Sequence, residues 1–149
     1  MVLAVFSFAT PAVADSSQSA TVTADGAIVA ADGSQIGQVT HHKRGDGTKP
    51  PAELGNPSEW GVAALKVDDS AGSVTPLGCI GASGGTWCYG NELTTDGKYC
   101  YSNYYHGSKS HKSSVKIAGT TFSSGWVAKG NTSYANWTAG TAYTCYSIE

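Results

Sequence analysis

From residue 84 onward the sequence is built of short runs heavy in aromatic and β-branched residues: "TWCYG", "KYCYSNYY", "SSVKIAGTTF", "SGWVAKG" and "TAYTCYSI". Gly, Asn, Asp or Ser separates them, and none sustains the 3.6-residue period of a helix. Alternation is visible instead. Val115 and Ile117 share one face while Lys116 points away, and Tyr143, Cys145 and Ser147 oppose Thr144, Tyr146 and Ile148. With 19 glycines, 8 tyrosines and only 13% charged residues in 149, the chain favours turns and pleated structure. The expectation is an all-β fold, a small antiparallel β-sandwich preceded by a turn-rich, partly flexible N-terminal region. The length suits one domain, or a small domain with a long appendage.

Residues 1–14, "MVLAVFSFATPAVA", form an apolar run that ends in Ala-Val-Ala and is followed by small polar residues. This reads as a signal peptide cut after Ala14. No Lys or Arg precedes the run, which places the start of such a peptide upstream of Met1. The run is too short to span a bilayer as a helix, and nothing later is apolar enough to do so. Export accounts for the four cysteines, Cys79, Cys88, Cys100 and Cys145, an even count expected to form two disulfides. Zinc is disfavoured because no Cys-x-x-Cys pair is present. Three pairings are open. A bridge from Cys88 to Cys100 would clamp the turn-rich "YGNELTTDGKY" and leave Cys79 to meet Cys145, although an Asp96-Gly97 turn would set Cys88 opposite Tyr105 instead.

Charge divides the chain near residue 83. Residues 15–83 carry four basic and eight acidic side chains, a balance of −4, whereas residues 84–149 carry five lysines and three carboxylates, a balance of +2. The first part opens on the small, polar, glycine-spaced "DSSQSATVTADGAIVAADGSQ", where flexibility is expected. "THHKRGDGTKPPAELGNPSEWGV" reads as turns, "WGVAALKVDD" as a short strand, and "AGSVTPLGCIGASGG" as a strand with a glycine hinge.

Residues 101–115, "YSNYYHGSKSHKSSV", concentrate three tyrosines, two histidines, two lysines and five serines. His106 and His111 alone make a feeble metal pair, and His41 and His42 stand beside Lys43 and Arg44, so no metal site and no cofactor are expected. Catalysis is disfavoured as well. There is no Gly-x-Ser-x-Gly elbow, the C-terminal half offers only Glu92, Asp96 and Glu149 to orient a histidine, and no carboxylate pair suggests glycoside hydrolysis. A binding surface fits better: tyrosines give stiff contact area, serines give adaptable hydrogen bonds, and Lys109 and Lys112 give positive charge. Nucleic acid is an unsuitable partner for a chain of net charge −2 with no arginine in its basic half.

"GGTWCYG" at 84–90, "YSNYYHGSKSHKSSV" at 101–115, "SGWVAKG" at 124–130 and the aromatic end at Tyr143 and Tyr146 together resemble the lactococcin 972 family of secreted bacteriocins. The resemblance implies a β-sandwich of two small antiparallel sheets in residues 84–149. It also implies a secreted, extracellular, non-enzymatic antibacterial protein that binds the cell-wall precursor lipid II and blocks septum formation, with an immunity or transport protein as a further partner. Rings can stack on sugar faces, cations can meet the pyrophosphate, and hydroxyls can bond the peptide. On that basis Tyr104, Tyr105, His106, Lys109, His111 and Lys112 are expected to form the recognition edge, with Trp87 and Trp126 beside it, each tryptophan being at least as well suited to anchor the core of a small sandwich.

The sequence departs from the family pattern in two ways. The prototype members are short and do not rely on disulfides, whereas here Cys88 follows Trp87 directly and the acidic residues 15–83 come first. That stretch reads as a propeptide cut near "GASGG" at 81–85, as a permanent subdomain, or as an extension that has changed the target. Two other functions stand beside the antibacterial one: a secreted structural or adhesion protein that binds surface glycans without killing, and a hydrolase dependent on His106 or His111.

Overall fold

The computed structural model describes residues 20–66, 79–139 and 144–148. The expected signal peptide at 1–14, Tyr143, and the side chains of Cys145 and Tyr146 lie outside the described residues. Among the described residues, eleven antiparallel strands form two sheets. They are β1 (Thr21–Val22), β2 (Ala27–Val29), β3 (Gln35–Lys43), β4 (Glu59–Lys66), β5 (Cys79–Ala82), β6 (Gly85–Thr94), β7 (Gly97–Tyr105), β8 (Ser114–Ile117), β9 (Thr120–Ser123), β10 (Thr132–Ala139) and β11 (Thr144–Ile148). A 3₁₀ turn at Ala52–Leu54 precedes β4. The seven-stranded sheet runs β1-β2-β3-β4-β11-β8-β9, and the four-stranded sheet runs β10-β7-β6-β5.

The all-β sandwich expected from the C-terminal runs is present, and residues 20–43 add to it. The stretch read as flexible and turn-rich carries β1, β2 and β3, and β3 pairs with β4 from Gly37 opposite Leu65 to Lys43 opposite Glu59. On its other edge β4 pairs with β11, Lys66 opposite Thr144 through Val62 opposite Ile148. β4 therefore sits inside the seven-stranded sheet, between strands from the two ends of the chain. Inward side chains of both sheets close one core, with Ile28, Val39, Ala63 and Leu65 from residues 20–66 packed with Trp87, Tyr89, Cys100, Tyr104, Val115, Ile117 and Ala135. Leu54 and Trp60 form a second, smaller cluster.

Tight turns set the registers. Ala118 and Gly119, both at positive φ (50° and 76°), close the β8–β9 hairpin, the conformation that matches strand twist. Ser83 (φ 48°) and Gly84 (φ 81°) do the same between β5 and β6. Gly85 then permits a close crossing, because a Cβ there would run into the Tyr105 carbonyl and lie 2.6 Å from the Tyr104 hydroxyl. "GASGG" is thus a packed hairpin turn in this fold.

The disulfide pairing differs from the favoured one. Cys79 lies directly opposite Cys88 in the β5–β6 register, their Cα atoms 4.1 Å apart, and the two are bridged. Cys100, also disulfide-bonded, faces Asn91 and Trp137 in its sheet and not Cys88. The hairpin explains the outcome: the β6–β7 turn is Thr95 and Asp96, with Thr94 opposite Gly97, which sets Cys88 opposite Asn103. The Cys79–Cys88 bridge ties down β5, the edge strand of its sheet. Chain-entropy arguments for a loop this short give about 2.5–3 kcal/mol. Replacing both cysteines with serine is expected to lower the free energy of unfolding by that amount in a urea titration; an unchanged midpoint would show that β5 needs no covalent tether.

Candidate functional site

β7 carries the first part of the candidate site, and its pleat separates two tyrosines that sequence reading grouped together. Lys98, Cys100, Ser102 and Tyr104 face the core, while Tyr99, Tyr101, Asn103 and Tyr105 face the other way. Tyr104 is 4% exposed and Tyr105 is 44% exposed, so the two cannot belong to one contact surface. The Tyr104 hydroxyl donates to the Ala82 carbonyl at 2.8 Å. Behind Tyr104, the Ser133 hydroxyl donates to its carbonyl at 3.1 Å and accepts from Ser113 at 2.6 Å. Ser113 and Ser114, two of the five serines of residues 101–115, are buried.

After β7 the chain turns sharply around an imidazole. His106 Nδ1 accepts the backbone N–H groups of Ser108 at 3.1 Å and Lys109 at 3.0 Å. Its Nε2–H must then be the donor, and it meets the Ser83 carbonyl at 3.2 Å. The His106 carbonyl accepts from the Gly130 N–H at 2.9 Å, and His111 bridges Val127 through two backbone hydrogen bonds. The run "SGWVAKG", read as a strand, forms only this bridge. Its effect is to clamp the 106–113 loop and bring Trp126 beside Lys112, whose Nζ lies 5.2 Å from the ring centre.

The result is a cleft of about 90 Å³. Tyr104, His106 and His111 form one side, the His111 ring standing edge-on to Tyr104 with centroids 5.3 Å apart and the two imidazoles 6.4 Å apart. Lys109, Ser110, Lys112 and Trp126 also line it. The cleft joins six of the eight residues named from the sequence: Tyr104, His106, Lys109, His111, Lys112 and Trp126. Tyr105 faces away from the core on β7, as above. Trp87 is a core residue and not a surface neighbour: it is fully buried, packed on Tyr89 with centroids 4.4 Å apart, and its Nε1–H donates to Ser102 Oγ at 2.9 Å. Trp126, by contrast, is 60% exposed.

Sequence reading missed the remaining lining. Leu54, Pro57, Ser58 and Glu59 reach the cleft from the 3₁₀ turn and the start of β4, and Ser83 from the β5–β6 turn. Nothing in "PPAELGNPSEW" marks it as cleft lining, because only the long-range β4–β11 pairing brings it there. The other two histidines are elsewhere. His42 stacks on Trp60 at 5.4 Å and contacts Asp46 at 3.2 Å. The Asp46 carboxyl lies well below the usual carboxylate range, chiefly because the side chain and then the backbone of Thr48 hydrogen-bond to it. Among the described residues no group of three or more His, Cys, Asp or Glu is placed to hold a metal ion. Nor, among them, is any helix long and apolar enough to cross a membrane.

The cleft of this disulfide-bonded β-sandwich thus brings aromatic rings, hydroxyls and two lysines together. Residues 83–147 match the family model described as Bacteriocin (Lactococcin_972), a match that covers less than half of the chain and includes β6 to β10 and the cleft-forming loops. No curated protein and no solved structure matches the chain.

Proposed function

We propose that the protein is a secreted, non-enzymatic bacteriocin that binds the cell-wall precursor lipid II through this cleft and thereby blocks septum formation in target bacteria. The observation that carries the reading is the convergence, inside the bacteriocin-matched region, of Lys109 and Lys112 with the Trp126 ring on one cleft. A pyrophosphate joined to a sugar is an anion beside a flat, weakly polar face. Ammonium groups satisfy the first and an exposed indole the second. A producer-side immunity or transport partner belongs to the same reading.

The test replaces both lysines with alanine and checks folding by circular dichroism. Each charge-assisted contact supplies about 1.5 kcal/mol at the low end, or about tenfold in affinity. The double variant is expected to bind lipid II vesicles about 100-fold more weakly and to lose growth inhibition in step. Unchanged affinity in folded protein would remove the lysines from the site.

One observation favours a second reading, a non-killing glycan-binding protein of the cell surface. The outward face of the four-stranded sheet carries Tyr99 and Tyr101 stacked at 6.0 Å, with exposed Tyr105 and Tyr134 nearby. Binding to polysaccharide without inhibition of growth would select it.

A further inference from the structure

The four-stranded sheet turns a second aromatic surface away from the core, and none of its residues lines the cleft. On β7 the outward positions include Tyr99, Tyr101, Asn103 and Tyr105, and the β10 register sets Tyr134 opposite Asn103 and Asn136 opposite Tyr101. Tyr105 is 44% and Tyr134 61% exposed. Along an extended strand, Tyr99 to Tyr105 spans about 20 Å, room for several sugar rings and far more than a single small molecule needs. Among the described residues no lysine or arginine holds an outward position on β5, β6, β7 or β10, since Lys98 is buried on the inward face. Glu92, opposite Tyr99 on β6, is the one charge there among the described residues.

The rings are laid to show their faces. Tyr101 lies across Gly90 on β6, where an added Cβ would come within 2.8 Å of the phenol oxygen. The glycine thus lets the ring lie down against the sheet. Tyr99 keeps its plane within 28° of that ring. Shielding the β6 backbone accounts for Tyr101, but it does not account for Tyr105 and Tyr134, which remain largely open to solvent.

The chemistry of this face selects its occupant. A phosphate or carboxylate polymer would find no cation on it and would meet the Glu92 carboxylate. A protein partner's apolar core would call for aliphatic surface, and the outward positions of β7 and β10 hold none. A pyranose chain supplies C–H faces for the rings and hydroxyls for the Asn and Thr side chains. We infer that this face is a second binding site, separate from the cleft, for an uncharged glycan of β-linked pyranose rings whose extended chain lies along β7. The inference starts from the rings that favour the second reading above and makes them a site that works beside the cleft, whether or not the protein kills.

Isothermal titration of the full chain with cellohexaose, maltohexaose and hexagalacturonate tests it. Cellohexaose, uncharged and extended, is expected to bind about tenfold more tightly than maltohexaose, whose α-links curl the chain, and than hexagalacturonate, which Glu92 repels. The double variant Tyr105→Ala, Tyr134→Ala removes two exposed rings and is expected to bind cellohexaose about tenfold more weakly while binding lipid II vesicles as before. Lys109→Ala, Lys112→Ala is expected to do the reverse, and circular dichroism checks the fold of both. No binding of cellohexaose, equal affinity for the three probes, or unchanged cellohexaose affinity in the folded tyrosine variant overturns the glycan site and leaves the lipid II reading standing. Loss of cellohexaose and lipid II binding together in the folded tyrosine variant overturns the separation of the two sites. Failure of the unaltered protein to bind lipid II, with cellohexaose still bound, overturns the cleft reading and supports the glycan site.

Discussion

Residues 79–149, produced without the preceding chain but with both cysteines of the Cys79–Cys88 bridge, are expected to lose most of the stability of the whole protein. The cut removes β4 from beside β11 and takes Ile28, Val39 and Leu65 out of the core. Burial of side chains of this size is worth about 1.5–3 kcal/mol each, so these three alone represent about 4.5–9 kcal/mol. Total stabilities of single domains are about 5–15 kcal/mol. What remains is β11-β8-β9 facing β10-β7-β6-β5, still closed by Trp87, Tyr89, Val115 and Ile117. The topology can survive the cut, but with little margin. The cleft is affected too, since Leu54, Pro57, Ser58 and Glu59 leave with the deleted part. Urea unfolding of the fragment beside residues 15–149 reads the first effect, and titration with lipid II vesicles reads the second. A fragment as stable as the whole and more potent would make the acidic half a removable mask; a weakened fragment with poorer binding makes it a working wall of the site.

The reason the C-terminal strands were legible in the sequence, and the N-terminal ones were not, lies in what each strand buries. β6, β7 and β8 carry aromatic and branched residues in alternation, a local pattern that declares itself. β3, "QIGQVTHHK", buries Val39 while most of its side chains are exposed or half-buried, so its strand character depends on pairing with β4 more than on its own composition. β10, "TSYANWTA", buries only Ser133 and Ala135, small residues that fit against the opposing sheet and send no hydrophobic signal. The cleft was half legible for the same reason. "YSNYYHGSKSHK" advertised its chemistry, but alternation along β7, correctly applied, would have parted Tyr104 from Tyr105 at once. The cysteines were a matter of register: moving the hairpin turn by one residue, from Asp96-Gly97 to Thr95-Asp96, shifts the residue opposite Cys88 by two, from Tyr105 to Asn103. The correct Cys79–Cys88 pair depended on recognising Ser83-Gly84 as the neighbouring turn.

The two tryptophans named from the sequence are expected to respond to mutation in opposite ways, because one side chain is interior and the other is not. Trp87 has no exposed surface; it stands on β6 between Ile80 on β5 and Tyr104 on β7, packs on Tyr89, and gives its N–H to Ser102. Trp87→Ala removes this contact area and leaves a cavity where the two sheets meet, a change that costs about 3–5 kcal/mol. For a domain of this size the melting temperature should fall by about 10–20 °C. Any loss of ligand binding should follow the loss of folded protein, since Tyr104 directly opposite is both core and cleft. Trp126→Ala deletes a ring that is 60% exposed and touches Lys112, so its effect on the melting temperature should be within about 2 °C, as for surface positions generally. On the proposed function, binding should weaken at once with the fold intact, because Trp126 lines the cleft and its exposed indole is the proposed stacking face. Thermal melts and lipid II titrations on the two variants separate the roles: a stable Trp87→Ala would mean that the sandwich closes without the largest ring of its main core, and full affinity in Trp126→Ala would remove aromatic stacking from the recognition chemistry.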